Sequence, residues 1–293
     1  MKGMRKWIDG LLCLMLLLSC STTKNLPEGA VLYTGIEKVE VINPDRSDEG
    51  KSTMREIEAA LDYAPNNALF GSSSIRVPFP FGLWVYNAFV NKEGKFGQWI
   101  FKKFAAKPVL ITTVNPDVRT KVARNLLNEY GYFRGETSYA LVPDKKDPRK
   151  AKIAYQVEMN APYTIDSVRY VRMRNQVDSV LPRASKERLL KRGDNFNVVR
   201  LQAERERVAS VLRDNGYFYF RPEHLVYQAD TSLVPGKVSL RVVPKSGIPL
   251  NAVRPWKLGR VDFYLNGYNN EQPTDSVRYK ELTIFYEGKL RMR

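Results

Sequence analysis

The chain has 293 residues, of which 43% are hydrophobic and 27% are charged, a composition typical of globular domains. Its 47 Lys and Arg against 31 Asp and Glu give a formal net charge of +16, which favours nucleic acid, an anionic membrane surface or acidic polypeptides as partners. One His and two Cys exclude most histidine-based and thiol-based catalytic sites.

Residues 1–19 have the pattern of an export signal. A basic start precedes the apolar run 11–18, which is too short to span a bilayer and fits a signal-peptide core. The run ends in Ser19 and Cys20, and "LLSC" resembles the lipobox of bacterial lipoproteins, in which the Cys is acylated. This resemblance implies lipidation of Cys20 and a linker over 20–30. An ordinary secretory signal or an uncleaved anchor is the alternative.

Export removes nucleic acid from the expected partners. Cys13 leaves with the signal and Cys20 carries the lipid, so the mature chain depends on packing and not on disulfides. The segment "STTKNLPEG" after Cys20 lacks both an Asp at its second position and an acidic cluster. By resemblance to sorted lipoproteins, these absences imply the outer membrane, with the lipid-anchored chain facing the periplasm.

Residues 31–160 are predicted to form a first module with the element order β-α-α-β-β. The predicted elements are a strand over 35–42, helices over 52–64 and 115–130, and strands over 136–142 and 151–158. Ser52 and Asn115 are the predicted N-caps of the two helices. Val118 and Val122 are expected on the buried face of the second helix, together with Leu126 and Leu127.

An insertion over 66–107 interrupts this module and concentrates aromatic residues. Its second half predicts an amphipathic helix, with Lys102 and Lys103 turned away from the apolar face. The residues expected on the apolar face are Phe96, Trp99, Ile100 and Phe104. Such a segment can contact a membrane or a partner, or it can pack on its own module. The candidate contact residues are Trp84, Tyr86, Phe89, Trp99 and Phe104.

Residues 161–246 are predicted to form a second module with the same element order. The predicted elements are a strand over 163–173, helices over 184–192 and 197–215, and strands over 218–227 and 237–244. Glu204 and Glu206 are expected among arginines on a solvated helix face. A third module is predicted to start within 256–293, with strands over 258–266 and 280–288, and to be truncated before its helices.

The two modules repeat one corner, "NEYGYFRG" and "RDNGYFYF". The corner residues are Gly131, Tyr132 and Phe133, and, 85 residues later, Gly216, Tyr217 and Phe218. The same offset relates the alternating strands "KIAYQVE" and "KVSLRVV", so the repeat extends over a helix end, a corner and a strand. Each Gly is predicted to end its helix in the left-handed conformation, and the aromatic residues to pin the helix on the sheet. The motif is therefore interpreted as structural.

A tandem β-α-α-β-β array behind a signal peptide resembles POTRA (polypeptide-transport-associated) domains of the BamA/TamA superfamily. The segments "LPEGAVLYTGIEKVEV", "PNNALFGSSSIRVPFPFGLWVYN" and "KPVLITTVNPDVRTKVARNLLNEYGYF" resemble the lipoprotein branch of that family in Bacteroidota. The resemblance implies an α+β fold of tandem POTRA modules. Members of the family continue into a C-terminal membrane β-barrel, which has no counterpart here, so either the chain belongs to a longer protein or the barrel is lost.

The resemblance implies a periplasmic arm of an outer-membrane protein assembly factor. Such an arm pairs exposed sheet edges with unfolded outer-membrane proteins, contacts other assembly subunits, and is held to the outer membrane by its lipid. The sequence does not identify which edge binds. Two alternatives remain, namely the arm of a TamA-like secretion or lipid-transport system and a barrel-less lipid-anchored scaffold. The basic surface could hold anionic headgroups or acidic substrate segments, or only confer solubility.

No catalytic, cofactor or metal site is predicted. His224 is expected on a strand and has no second His to share a metal. The segment "FGSSSI" lacks the Lys and the following helix that a phosphate-binding loop requires. The chain is therefore predicted not to be an enzyme.

Overall fold

The computed structural model describes residues 22–69, 72–173, 176–265 and 273–287. The signal segment and Cys20 lie outside this part of the chain. The chain divides into two compact units, one with the residues up to Thr164 together with Asn195–Val198, the other with Ile165–Asp194 and the residues from Val199 onward. Helices and several small sheets alternate along the chain, which confirms the predicted α+β fold class.

The first unit contains a three-stranded sheet. Its strands are β1 (Leu32–Ile42), β4 (Glu136–Pro143) and β5 (Lys150–Glu158), in the spatial order β1-β5-β4. β1 runs parallel to β5, whereas β4 is antiparallel to it. The alternation that predicted β5 places Ile153, Tyr155 and Val157 on one face, where each is at most 1% exposed.

Two helices cover that face, α1 (Asp48–Leu61) and α5 (Pro116–Glu129). The core beneath them contains Tyr33, Ile57, Leu61, Val114, Ala123, Leu127, Tyr132, Ile153, Tyr155, Val157 and Met159. The cap predicted at Ser52 is wrong. Helix α1 begins four residues earlier, and the Ser47 hydroxyl accepts from the Gly50 N–H at 3.0 Å.

Helix α5 lies within its predicted bounds but buries only part of its predicted face. Asn115 caps it with a left-handed φ of 51° and accepts from the Val118 N–H. Leu127 is fully buried and Leu126 packs against the core, as predicted. The predictions for Val118 and Val122 are wrong, because both are exposed, at 50% and 43%. The other residues of the helix that turn inward are Pro116, Thr120 and Ala123.

The insertion forms a short strand pair followed by two helices. Its elements are β2 (Ala68–Leu69), β3 (Ser72–Arg76), α2 (Phe81–Phe89) and α3 (Lys95–Phe104). A short helix after the insertion, α4 (Ile111–Val114), leads into α5. Helices α2 and α3 form a helical hairpin that the Ala106 N–H closes by donating to the Gly82 carbonyl at 2.9 Å. Across it, the rings of Tyr86 and Phe101 lie 5.6 Å apart.

The second unit repeats the sheet order. Strands β6 (Thr164–Tyr170), β7 (Leu225–Asp230) and β8 (Lys237–Pro244) lie in the order β6-β8-β7, and β7 is antiparallel to β8. Helices α6 (Leu181–Lys186) and α7 (Val198–Asp214) lie between β6 and β7 in the sequence. Short 3-10 turns cover Gln176–Ser179, Pro222–His224 and Leu250–Ala252.

Three predictions for this unit are wrong. The helix predicted over 184–192 ends at Lys186, because the Leu189 N–H donates to the Glu204 carboxylate at 2.8 Å instead of continuing the helix. The strand predicted from Phe218 begins at Leu225, and His224 ends a 3-10 turn. Glu204 is not solvated but fully buried.

Glu204 is buried as the centre of a polar cluster. It accepts from the Tyr170 hydroxyl and forms an ion pair with Arg207, whose Nη2 lies 2.7 Å from Oε1. Burial and the hydrogen bond to Glu204 raise the pKa of Tyr170. Arg207 also donates to the Ala184 carbonyl at 2.6 Å, which ties α7 to α6. A carboxylate with several partners can occupy a core position that periodicity assigns to an apolar residue.

A third sheet consists of β9 (Val261–Tyr264), β10 (Asp275–Tyr279) and β11 (Leu282–Tyr286). β9 is parallel to β11, and β10 is antiparallel to it. The last strand of the sheet therefore lies between the first and the second, as it does in both modules. In the modules, helices lie between the first and second strands. Here only residues 265–274 lie between them, too few for two helices the length of α1 and α5.

Candidate functional site

Strands β4 and β7 form uncovered edges of their sheets. Within the described residues, no backbone hydrogen bond reaches either strand from the side away from β5 or β8. Along an edge, roughly every second residue directs its N–H and C=O outward. The eight residues of β4 therefore offer a pairing edge about 27 Å long.

The opposite edges, β1 and β6, are covered where each strand begins. The Tyr33 N–H donates to the Val109 carbonyl at 2.8 Å, and the Ile111 N–H donates to the Val31 carbonyl. In the second unit, the Ile165 N–H donates to the Asp194 carbonyl, also at 2.8 Å. The first strand of each module is thus partly paired by a loop of its own unit.

Charge distinguishes the two kinds of edge. β1 carries Glu37, Lys38 and Glu40, all exposed, and β6 carries Asp166 and Arg169. By contrast, β4 and β7 each have only one charged residue, at one end of the strand. Charged side chains on an edge disfavour the addition of another strand. The uncovered edges are therefore also the ones without charges along their middle.

Side-chain contacts with the helices hold both uncovered strands in place. In β4, the Thr137 hydroxyl donates to the Thr120 carbonyl at 2.7 Å, and the Tyr139 hydroxyl donates to Asp117 at 3.1 Å. Burial and this contact with Asp117 raise the pKa of Tyr139. In β7, the Tyr227 hydroxyl donates to the Leu201 carbonyl at 3.0 Å. These contacts fix the position of each edge strand against a helix of its own unit.

The two Gly-Tyr-Phe corners have the same backbone geometry. Gly131 and Gly216 have φ of +86° and +93°. The following tyrosine N–H, of Tyr132 or Tyr217, donates five residues back to the carbonyl of Leu127 or Leu212. This pattern is a Schellman motif, which requires a left-handed residue after the helix. Both tyrosines are buried, at 2% and 3% exposure.

The backbone of a segment distant in sequence packs against each corner glycine. The Gly131 carbonyl accepts from the Tyr163 N–H at 2.9 Å, and the Gly216 carbonyl accepts from the Trp256 N–H at 2.7 Å. A Cβ on Gly131 would lie 2.8 Å from the Phe196 carbonyl oxygen, and one on Gly216 would lie 3.0 Å from that of Trp256. The glycines therefore serve the close approach of another segment as well as the end of a helix.

The third residue of the corner differs between the two copies. The Phe133 ring lies 5.1 Å from the rings of Tyr163 and Phe196, and it is half-buried. Phe218 is 69% exposed and contacts Tyr219. Only the first two corner residues therefore have the same environment in both units.

The aromatic residues proposed for surface contact fall into two groups. Tyr86 and Phe89 are half-buried within the helical hairpin, and Trp84 is half-buried against Phe79, 5.4 Å away. Trp99 and Phe104 are 53% and 44% exposed. Phe96 is 73% exposed and lies on the predicted apolar face, although it was not among the five candidate contact residues. Phe81 is 61% exposed and was not predicted to make contacts. The density of aromatic residues in the segment was the signal available for Phe81.

The helical hairpin is basic on its exposed side. Lys103 does not turn away from the aromatic residues as predicted, because its Nζ lies 5.2 Å from the centre of the Trp99 ring, one helical turn earlier. Helix α3 has no acidic residue.

The described residues contain no group of three or more His, Cys, Asp or Glu placed to hold a metal ion. Within the same part of the chain, no helix is both long and apolar enough to cross a bilayer. The Nδ1 of His224 accepts from the Arg221 N–H at 3.1 Å, and burial lowers the pKa of this imidazole. Its geometry is that of a turn-stabilising side chain.

Neither a family model nor a curated protein matches this chain. Among solved structures, the chain is similar to POTRA domains 3–5 of BamA from Haemophilus influenzae, with 10% identity over 83% of this chain and 75% of that chain and a TM-score of 0.36. It is also similar to POTRA domains 1–3 of the periplasmic domain of Omp85 from Anabaena, with 16% identity over 72% and 66% of the two chains and a TM-score of 0.25. The N-terminal domain of Omp85 from Thermosynechococcus elongatus matches at 13% identity over 75% and 100%, with a TM-score of 0.21. TM-scores this low carry no functional conclusion.

Proposed function

We propose that the chain is a periplasmic arm of an outer-membrane protein assembly factor, with no enzymatic activity of its own. In this role, β4 and β7 bind unfolded outer-membrane proteins by strand addition. Cys20 carries the lipid that holds the chain to the outer membrane, and other subunits of the assembly machinery bind alongside. Handover of the substrate to a membrane-embedded component completes the function.

The single observation that carries this proposal is the agreement between the two modules. Both leave the second strand of the module, β4 or β7, uncovered over its whole length and free of charge in its middle. Both also protect the first strand, β1 or β6, with a loop and charged residues. A protein that only avoided aggregation would protect both edges, because an open edge is a hazard.

Strand addition fits the expected substrate chemistry. The contacts are made mainly by backbone groups, so they tolerate many sequences, as unfolded β-rich chains of different sequence require. The formal net charge of +16 adds a long-range attraction for acidic segments that salt weakens.

Site-specific photo-crosslinking tests the proposal. The photoreactive amino acid replaces the exposed Ser138 on β4 or Gln228 on β7, and the exposed Lys38 on β1 is the matched control on a protected edge. The probe is a urea-solubilised outer-membrane β-barrel protein diluted into buffer, compared with the same protein already folded. We expect adducts with the unfolded probe at Ser138 and Gln228 and few at Lys38. Equal adducts at all three positions, or none, would contradict strand addition at these edges.

A further inference from the structure

The start of the described chain is fixed to the helical hairpin. The Asn25 Nδ2 donates to the Asn87 carbonyl at 2.8 Å, and the Asn87 Nδ2 donates back to the Thr22 carbonyl at 3.2 Å. Leu26 packs with Leu83 of α2 in a small buried cluster that also contains Leu32. The chain from Thr22 therefore stays on α2, and Cys20 is only two residues earlier in the sequence.

Both helices of the hairpin contribute to the aromatic patch, defined here as Phe81 at the start of α2 and Phe96, Trp99 and Phe104 on α3. All four side chains are between 44% and 73% exposed. Their rings are contiguous, since Trp99 lies 6.2 Å from both Phe96 and Phe104, and Phe104 lies 6.5 Å from Phe81. No residue of α3, a helix described along its whole length, is buried. Single exposed apolar residues are common on protein surfaces, whereas a continuous exposed aromatic surface indicates a contact site.

Lysines accompany the aromatic patch on α3. The helix carries Lys95, Lys102 and Lys103, and the Nζ of Lys103 lies 5.2 and 6.0 Å from the centres of the Trp99 and Phe104 rings. Tryptophan with lysine is the combination enriched where proteins meet the headgroups of a bilayer. Lysines at such a surface are attracted to anionic lipids.

We infer that the aromatic patch lies in the headgroup region of the bilayer leaflet that holds the lipid of Cys20. This inference rests on the lipidation that forms part of the proposed function. Helix α3, at ten residues, is about 15 Å long and lies along the surface rather than across it. Lipid chain and aromatic patch are then two membrane contacts on one helical hairpin, which orients the first unit against the membrane instead of leaving it on a flexible tether.

Two contacts bind more firmly than a lipid alone. The patch adds buried apolar area and basic charge to the attachment, and both strengthen the binding of an interfacial helix to an anionic membrane. The Asn25–Asn87 pair has a specific purpose in this arrangement, because it keeps the start of the chain on the helix that packs against the patch. A protein partner is the alternative occupant, and quenching by lipid distinguishes the two.

Tryptophan fluorescence of the full chain reports on the patch directly. The protein is produced with its own N-terminal region, purified in detergent and reconstituted into phosphatidylethanolamine–phosphatidylglycerol vesicles with or without brominated acyl chains. Trp99→Phe removes the reporter in the patch. Trp256→Phe is the matched control, because Trp256 is 49% exposed against 53% for Trp99 but lies in the second unit.

We expect brominated lipid to quench a component of the emission that is lost in Trp99→Phe and retained in Trp256→Phe. If aqueous iodide quenches Trp99 as strongly as Trp256 in the vesicle-bound protein, the patch faces water and the inference is overturned. It is also overturned if Trp99 is shielded from both quenchers, which would indicate a protein occupant.

The mass of the N-terminal peptide from the same preparation separates this inference from the proposed lipid anchor. If Cys20 is unmodified and brominated lipid quenches Trp99, the patch contacts the membrane but the proposed lipid anchor is wrong. If Cys20 is lipidated and brominated lipid does not quench Trp99, the lipid anchor is supported and the membrane contact of the patch is wrong.

Discussion

Gly131 is the position where a single methyl group should do most damage in the first unit. Its φ of +86° is left-handed, and a Cβ there would lie 2.8 Å from the Phe196 carbonyl oxygen and 3.1 Å from the Phe196 Cβ. The left-handed conformation costs Ala about 1–2 kcal/mol. The overlap adds about 1–3 kcal/mol, because a backbone carbonyl must move. Ala also lowers the conformational entropy of the unfolded chain, which offsets roughly 0.4–1 kcal/mol of this destabilisation. Gly131→Ala should therefore lower the free energy of unfolding by roughly 1–5 kcal/mol, with a midpoint of about 3 kcal/mol.

Gly29 provides the matched control in the same unit. Its φ is +72°, and nothing lies within 4 Å of a Cβ built on it. Gly29→Ala should therefore cost about 1 kcal/mol, from the backbone conformation alone. Asn tolerates the left-handed region, so Gly29→Asn should be close to neutral while Gly131→Asn still pays the overlap.

Urea unfolding followed by far-UV circular dichroism measures these differences. Hydrogen exchange at the Tyr163 amide, which donates to the Gly131 carbonyl, provides a local readout in the same unit. We expect faster exchange in Gly131→Ala and unchanged exchange in Gly29→Ala. Equal losses of stability for the two Ala variants would refute the argument that the close approach of Phe196 matters.

Three further predictions concern single side chains. Glu204→Ala should lower the free energy of unfolding by about 3–5 kcal/mol because it leaves a buried ion pair broken, whereas Glu206→Ala on the exposed side of α7 should change it by less than about 0.5 kcal/mol in the same urea assay. Burial raises the pKa of Tyr155 from 10.0 to about 12. Between these two pH values the tyrosine ionises in the unfolded chain but not in the folded chain. The free energy of unfolding should therefore be unaffected by this group below pH 10 and fall by about 1.4 kcal/mol per pH unit between pH 10 and 12. Tyr155→Phe should reduce that slope in urea titrations and be neutral or stabilising at pH 7, since the hydroxyl has no hydrogen-bond partner within the described residues. Arg119 donates to the carbonyls of Ala60, Asp62 and Val114, so Arg119→Ala should cost about 2–3 kcal/mol, while a loss as small as that of exposed Arg124→Ala would contradict this role.

Local chemistry made several elements predictable from the sequence. The alternation in "KIAYQVE" identifies β5 and its buried face, because successive side chains of a strand point to opposite sides. The cap at Asn115 and the glycine at the end of each long helix follow from backbone preferences of single residues. The repeat at a fixed offset indicated one sheet topology used twice.

Contacts between distant segments could not be predicted in the same way. Glu204 looks like a solvated residue because of its charge, yet it is buried because Tyr170, Arg207 and the Leu189 N–H satisfy its carboxylate. The exposure of Val118 and Val122 depends on how α5 rotates on the sheet, which no local pattern specifies. The helix cap is Ser47 and not Ser52 because several polar residues near the start of α1 compete to cap it, and the sequence alone does not show which one does.

The sequence by itself determined the modules, their element order and the corner that ends each long helix, because these depend on residues close together in the chain. Only the tertiary structure decided which sheet edges stay open. The loops at 109–111 and 193–196 cover β1 and β6 and leave β4 and β7 open. Each loop is distant in sequence from the strand that it covers, so no local pattern shows which edge it protects. The same holds for the start of the described chain, which is held on α2 by a hydrogen bond from Asn25 to the carbonyl of Asn87, 62 residues away in the sequence.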